Sequence, residues 1–88
     1  MTWGYEITPE AVRQLRELGP SAATEIKFFL ETRIKGAANP ERFGKPLRGP
    51  KHGFWRYRVR DWRILCRLQN KVMIVLVVSV GHRSEIYD

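Results

Sequence analysis

The fourteen residues Phe54-Trp-Arg-Tyr-Arg-Val-Arg-Asp-Trp-Arg-Ile-Leu-Cys-Arg67 alternate arginine with large apolar side chains at a period of two. Successive side chains of a strand point to opposite faces, so this pattern demands a sheet with one face in a core and the other lined by guanidinium groups. Arg60-Asp61 marks a tight turn and divides the stretch into strands over about 54–60 and 62–68. Parity sends Trp55, Tyr57, Val59, Trp62, Ile64, Cys66 and Leu68 inward. Arg56, Arg58, Arg60, Arg63 and Arg67 then share an uncovered face. A further apolar run predicts a third strand over 71–80 after a turn at Gln69-Asn70, and the short spacings predict an antiparallel meander.

The residues before this block predict what covers the apolar face. Trp3, Tyr5 and Ile7 alternate as a short first strand. Thr8 offers an N-cap hydroxyl, Pro9 suits the first helical position, and Glu10 favours the positive end of the dipole. Val12, Leu15 and Leu18 form one stripe of a helix that Gly19 can end. Ser21 can cap a second helix, with Ile26, Phe29, Leu30 and Ile34 at helical spacing and Gly36 as its stop. From Ala37 to Gly53 the signals are turns, among them Asn39-Pro40, Gly44, Pro46 and Gly49-Pro50. A connection this long in a small domain implies a turn of helix or a function. The predicted fold is α+β in the order strand, helix, helix, strand, strand, strand: one domain over residues 1–88, with a helical hairpin on a mostly antiparallel four-stranded sheet.

Charge follows the same division. Residues 1–44 hold six basic and six acidic side chains, which cancel, whereas residues 45–88 hold ten basic against three acidic, so the whole net charge of +7 lies there. Eight of the 16 basic residues fall between Lys45 and Arg67. Such asymmetry predicts a polyanionic partner. Arginine can clamp a phosphate through two parallel hydrogen bonds, so a row of arginines can track a nucleic-acid backbone. The bland alternative is a solvated face whose arginine stems cover apolar surface. The single Cys66 excludes an internal disulfide and points to a reducing cytoplasm. The longest apolar run, Val72 to Val78, is a strand's length and far short of the roughly 20 residues of a membrane span. His52 and His82 lack carboxylate or cysteine companions at ligand spacing, so no metal and no cofactor is expected.

A second concentration of chemistry is Val80-Gly-His-Arg83 with Tyr87 close behind. Singly, His82 can cap a strand, Arg83 can pair with Glu85, and Tyr87 can pack at the domain edge. Beside a phosphate-binding face, the same three can build a phosphodiester-cleaving site.

The helical hairpin, Lys45-Pro-Leu-Arg-Gly49, Trp55-Arg-Tyr-Arg-Val-Arg60, Trp62-Arg-Ile64 and Val80-Gly-His-Arg83 with Tyr87 together resemble the RelE toxins of the RelE/ParE superfamily over nearly the whole chain. The resemblance implies the toxin of a type II toxin–antitoxin pair, a ribosome-dependent endoribonuclease that cuts messenger RNA in the A site. Carried over by motif, the catalytic roles fall on Arg56, Arg58, Arg63, Arg83 and Tyr87. Lys45, Arg48, Lys51, Arg60, Arg67 and His82 are the expected RNA-binding positions around them. The implied chemistry is attack of the ribose 2′-OH on its own 3′-phosphate, with guanidinium groups stabilising the phosphorane. Arg83 would meet the scissile phosphate or the leaving 5′ oxygen, and Tyr87 would orient or deprotonate the 2′-OH or stack on a base. Well-known members carry lysines where this chain has Arg56 and Arg58. Arginine is a poor general base, so the base lies elsewhere or is dispensed with through strong phosphate stabilisation; His82 has the intrinsic chemistry for the proton, against its structural reading at the strand end.

The implied partners are a cognate antitoxin that wraps the helices and brings about oligomers, the ribosome, and messenger RNA; a membrane is not implied. Two alternatives stay open: a ParE-like inhibitor of DNA gyrase without catalysis, and a non-catalytic RNA-binding module.

Overall fold

The computed structural model describes residues 1–49 and 53–82. In chain order its elements are β1 (Gly4–Ile7), α1 (Pro9–Leu18), α2 (Pro20–Phe29) continued by a π turn (Leu30–Ile34), a 3-10 turn (Pro40–Phe43), β2 (Gly44–Pro46), β3 (Trp55–Val59), β4 (Trp62–Gln69) and β5 (Ile74–His82). The sheet has five strands in the order β1-β5-β4-β3-β2. β1 runs parallel to β5 and every other pair is antiparallel. The expected α+β fold is present. The count of four strands is corrected by β2, three residues at the sheet edge inside the stretch read as loop. A strand so short and ending in proline carries almost no sequence signal, and an edge is where proline is tolerated.

The caps follow from local chemistry. The Thr8 side chain accepts from the Ala11 N–H at 3.2 Å, with Pro9 in the first turn. Gly19, at φ +102, ends α1 and also stands as the N-cap of α2, with Pro20 as the first helical residue. Ser21 is therefore not the cap of the second helix. The π turn keeps Ile26, Leu30 and Ile34 in one buried line. Ala11 and Leu15 are buried on α1, while Val12 and Leu18 are half-buried.

The core lies between the helical layer and one sheet face. Tyr57, Ile64, Cys66, Val75 and Val77 have no exposure there, and Trp55, Val59, Trp62 and Leu68 pack against them, as parity predicts. The Tyr57 hydroxyl donates to the Pro40 carbonyl at 2.8 Å in the interior and ties the 3-10 turn to the sheet. In β5 the alternation breaks. Leu65 pairs with Ser79 but Cys66 pairs with Val77, so Val78 is the extra residue of a bulge. The shift brings Val80 inward, to 3% exposure. Gln14 of α1 secures it, its Oε1 accepting from the Val80 N–H at 2.7 Å and from the Ser79 hydroxyl at 3.2 Å. Among the described residues no helix is long and apolar enough to cross a membrane.

Candidate nucleic-acid interface

Strand pairing sets the basic side chains into rows on the face away from the helices. Lys45 of β2 pairs with Arg56 of β3, which pairs with Leu65 of β4. Two residues along, Arg58 pairs with Arg63, and Arg63 with Gly81 of β5. Lys45, Arg56, Arg58 and Arg63 are thus neighbours by register. Their exposure differs: Arg58 and Lys45 are exposed, whereas Arg56 and Arg63 are only 8% and 5% exposed. Arg63 Nη1 reaches back to the Arg60 and Trp62 carbonyls through long contacts of 3.4 and 3.5 Å, which aims its guanidinium at the turn between β3 and β4.

Two of the five strand arginines have other uses. Arg60 sits in that turn with φ +54, and its Nε donates to the Glu25 carboxylate on α2. Its side chain is therefore directed to the helical layer, not along the arginine row as strict alternation predicts; the left-handed turn residue ends the alternation. The Glu25 partner also raises the Arg60 pKa. Arg67 holds its guanidinium 4.4 Å from the centroid of the Phe54 ring, the covering role expected of a solvated arginine face.

At the β2 edge a cleft of about 220 Å³ is lined by Arg42, Phe43, Gly44, Lys45, Arg56 and Arg58. Among the described residues four cationic side chains and no acidic one surround it. Arg42 is a residue that sequence reasoning missed, because counting charge by segments placed it in the neutral half. The 3-10 turn and β2 carry it to the sheet edge. Gly44 permits the close approach: a Cβ there would lie 2.4 Å from the Arg56 carbonyl oxygen and 2.7 Å from Trp55 Nε1.

Of the other expected positions, Arg48 is exposed just beyond β2, and His82 is the exposed last residue of β5, opposite Trp62. Lys51, Arg83 and Tyr87 lie outside the described residues. Among the described residues no group of three or more His, Cys, Asp or Glu side chains is placed to hold a metal ion. The interior nucleophiles are closed off. Burial pushes the Cys66 thiol far up, and burial, aided by the nearby Cys66 and Glu41, does the same to the Tyr57 phenol. What the arrangement offers chemically is a set of permanently positive donors, two of them largely withdrawn from water, able to bind and polarise phosphate.

Comparison with known proteins bears on the family and the fold. The family described as ParE toxin of type II toxin-antitoxin system, parDE, matches residues 5–87. Toxin RelG of Mycobacterium tuberculosis is 32% identical over 87 residues, which cover 99% of this chain and 98% of that protein. The fold is similar to that in the toxin–antitoxin complex RelBE2 of Mycobacterium tuberculosis, with a TM-score of 0.84 at 28% identity, covering 94% of this chain and 100% of that one. The archaeal RelE–RelB complex from Pyrococcus horikoshii shares the fold at a TM-score of 0.72 and 20% identity, covering 98% and 100% of the respective chains.

Proposed function

The chain belongs to the RelE/ParE family of type II toxin–antitoxin toxins, and from that premise we propose that it is a ribosome-dependent endoribonuclease that cuts messenger RNA in the A site. The observation that carries this reading is the register-built cluster of Lys45, Arg56, Arg58 and Arg63, with Arg56 and Arg63 largely buried. Guanidinium groups withdrawn from water need little reorganisation as charge develops, which is the requirement for stabilising a phosphorane.

In the proposed reaction the 2′ oxygen forms a bond to its adjacent phosphorus while the bond from phosphorus to the 5′ oxygen breaks. The 2′ proton passes to a base and the 5′ oxygen gains a proton, giving a 2′,3′-cyclic phosphate and a free 5′-OH. Arg56, Arg58 and Arg63 hold the non-bridging oxygens. Arg83 and Tyr87 follow directly on β5 in sequence and are assigned the leaving oxygen and the 2′-OH. Lys45 and Arg48 extend the backbone contacts. No cofactor enters the scheme. A cognate antitoxin is the partner, as in the RelBE2 and RelE–RelB complexes of the relatives, and the site of action is the cytoplasm.

The decisive experiment adds the purified toxin to a translating extract and maps messenger 5′ ends. Cuts in frame with codons, reduced about 10²-fold or more by Arg63→Ala as for loss of one charge-stabilising donor, are expected. Intact messenger together with stoichiometric inhibition of gyrase supercoiling would refute the reading.

A further inference from the structure

The basic surface continues beyond the strand arginines. A second cleft, of about 290 Å³, lies along the 3-10 turn and is lined by Arg33, Lys35, Asn39, Arg42 and Phe43 together with small residues of 36–38 and Thr32. Arg42 and Phe43 line both this cleft and the one holding Lys45, Arg56 and Arg58, so the two clefts adjoin at this shared wall and make a two-part basic trough. The Arg42 guanidinium stands over the Phe43 ring, 5.4 Å from its centroid, which holds the charge at the junction.

Among the described residues no acidic side chain lines either cleft. Among the described residues Arg33, Arg42, Lys45 and Arg58 make no ion pair, while Lys35 lies 3.6 Å from Glu31, whose carboxylate also accepts from Tyr5. Each cleft is below the roughly 300–1,000 Å³ of a site for a whole drug-sized ligand. A trough of this kind suits a polyanionic chain laid along it. Interleaved acids would serve solubility equally well, and among the described lining residues there are none.

We infer that this trough is a backbone track for single-stranded RNA, in which Arg33 and Arg42 hold phosphates flanking those held by Lys45, Arg56 and Arg58. The inference rests on the nuclease reading only in naming RNA as the polyanion. Arg42 is then a binding residue that couples the edge of the sheet to the end of the helical layer, and it lengthens the footprint on RNA past the reacting phosphate.

The test uses Arg33→Gln, Arg42→Gln and the double variant, with Arg16→Gln on the exposed side of α1 as a basic residue outside the trough. All three side chains are exposed, so folding should be retained and is checked by circular dichroism. Affinity for a short oligoribonucleotide is measured as a function of salt. Each lost phosphate contact should flatten the slope of log K against log salt by about 0.7, equal to about a 4-fold loss per side chain and about 14-fold for the double variant near 0.15 M salt. Arg16→Gln should leave the slope unchanged. Ribosomes with an empty and with a messenger-filled A site then separate the sources: equal losses assign the flanking phosphates to ribosomal RNA, a loss only with the filled site assigns them to messenger, and both support the track. An unchanged slope and affinity in the double variant overturns it, as does a loss confined to antitoxin binding. Wild-type protein that never cleaves messenger, with the double variant still flattening the slope, would sink the nuclease reading and leave the track standing. Normal cleavage with an unchanged slope would do the reverse.

Discussion

Replacing Tyr57 by Phe tests how the 3-10 turn is held to the sheet. The substitution keeps the ring that fills the core and its tilted contact with Phe29, whose centroid is 5.6 Å away, and removes only the hydroxyl that donates to the Pro40 carbonyl at 2.8 Å. Both ends of that bond are buried, so the carbonyl loses its partner without gaining solvent. An orphaned buried acceptor costs about 1–3 kcal/mol, and the ring's retained packing argues for the lower half, about 1.5 kcal/mol. For a domain of this length that is a drop in Tm of about 6–12 °C, or about 1.5 M in urea midpoint at a slope near 1 kcal/mol/M. The assay is thermal and urea unfolding of toxin refolded after release from its antitoxin. Hydrogen exchange adds a local readout, because the Gly44 N–H donates to the Glu41 carbonyl inside the same turn. Its protection should fall by more than that of the β4 and β5 amides. A Tyr57→Phe protein within about 0.3 kcal/mol of wild type, with Gly44 equally protected, would show that the bond does not fasten the turn that carries Arg42.

Gly44→Ala should cost about 1–3 kcal/mol as an overpacking change, because its Cβ would meet the Arg56 carbonyl at 2.4 Å and Tyr57 Cδ1 at 2.8 Å. The strand carrying Lys45 must retreat, so thermal unfolding and RNA affinity should fall together; an unchanged melt would refute the contact. Cys66 has no exposure and its thiol is held neutral by burial. Its folded pKa lies above the unfolded value near 8.5, so this contribution to stability is fully present below about pH 8.5 and is lost as pH rises beyond it, at about 1.4 kcal/mol per unit. Urea midpoints measured between about pH 8.5 and 10 should decline less steeply in Cys66→Ala than in wild type, and an equal decline would show that another group carries the effect.

The order of the elements apart from the edge strand β2, the inner faces of β3 and β4 and the helical hairpin are legible from periodicity, although the cap of the second helix is Gly19 and not Ser21. Three placements are not, each for a physical reason. Arg60 leaves the arginine row because it is the left-handed residue of the β3–β4 turn and Glu25 waits on α2. Parity in β5 is reset by the bulge at Val78, and the group that stabilises the bulge is Gln14, 66 positions from Val80 in sequence. Arg42 enters the basic cleft through β2, whose Gly44-Lys45-Pro46 has no alternation to read. Charge counted along the chain therefore understated the basic cleft, which gathers cations from both halves of the sequence.

The same side chains define what the site must borrow. Under the nuclease reading a base has to take the 2′ proton, yet a guanidinium does not give up its own proton near neutral pH, so Arg56, Arg58 and Arg63 stabilise charge without accepting one. The interior groups behind them are no better placed. Tyr57 donates inward to Pro40, and Cys66 is sealed in the core. His82, exposed at the end of β5 and next in register to the Arg63–Gly81 pair, is the described side chain of a type suited to the proton, with Tyr87 the further candidate in the sequence. A clamp whose guanidinium groups accept no proton gains most when something else fixes the 2′-OH in line with the breaking bond. Orientation of that kind is worth several orders of magnitude. Under that reading, dependence on the ribosome would follow from the composition of the site: arginine in the strand trades proton transfer for phosphate binding and would leave alignment to the surface that presents the messenger.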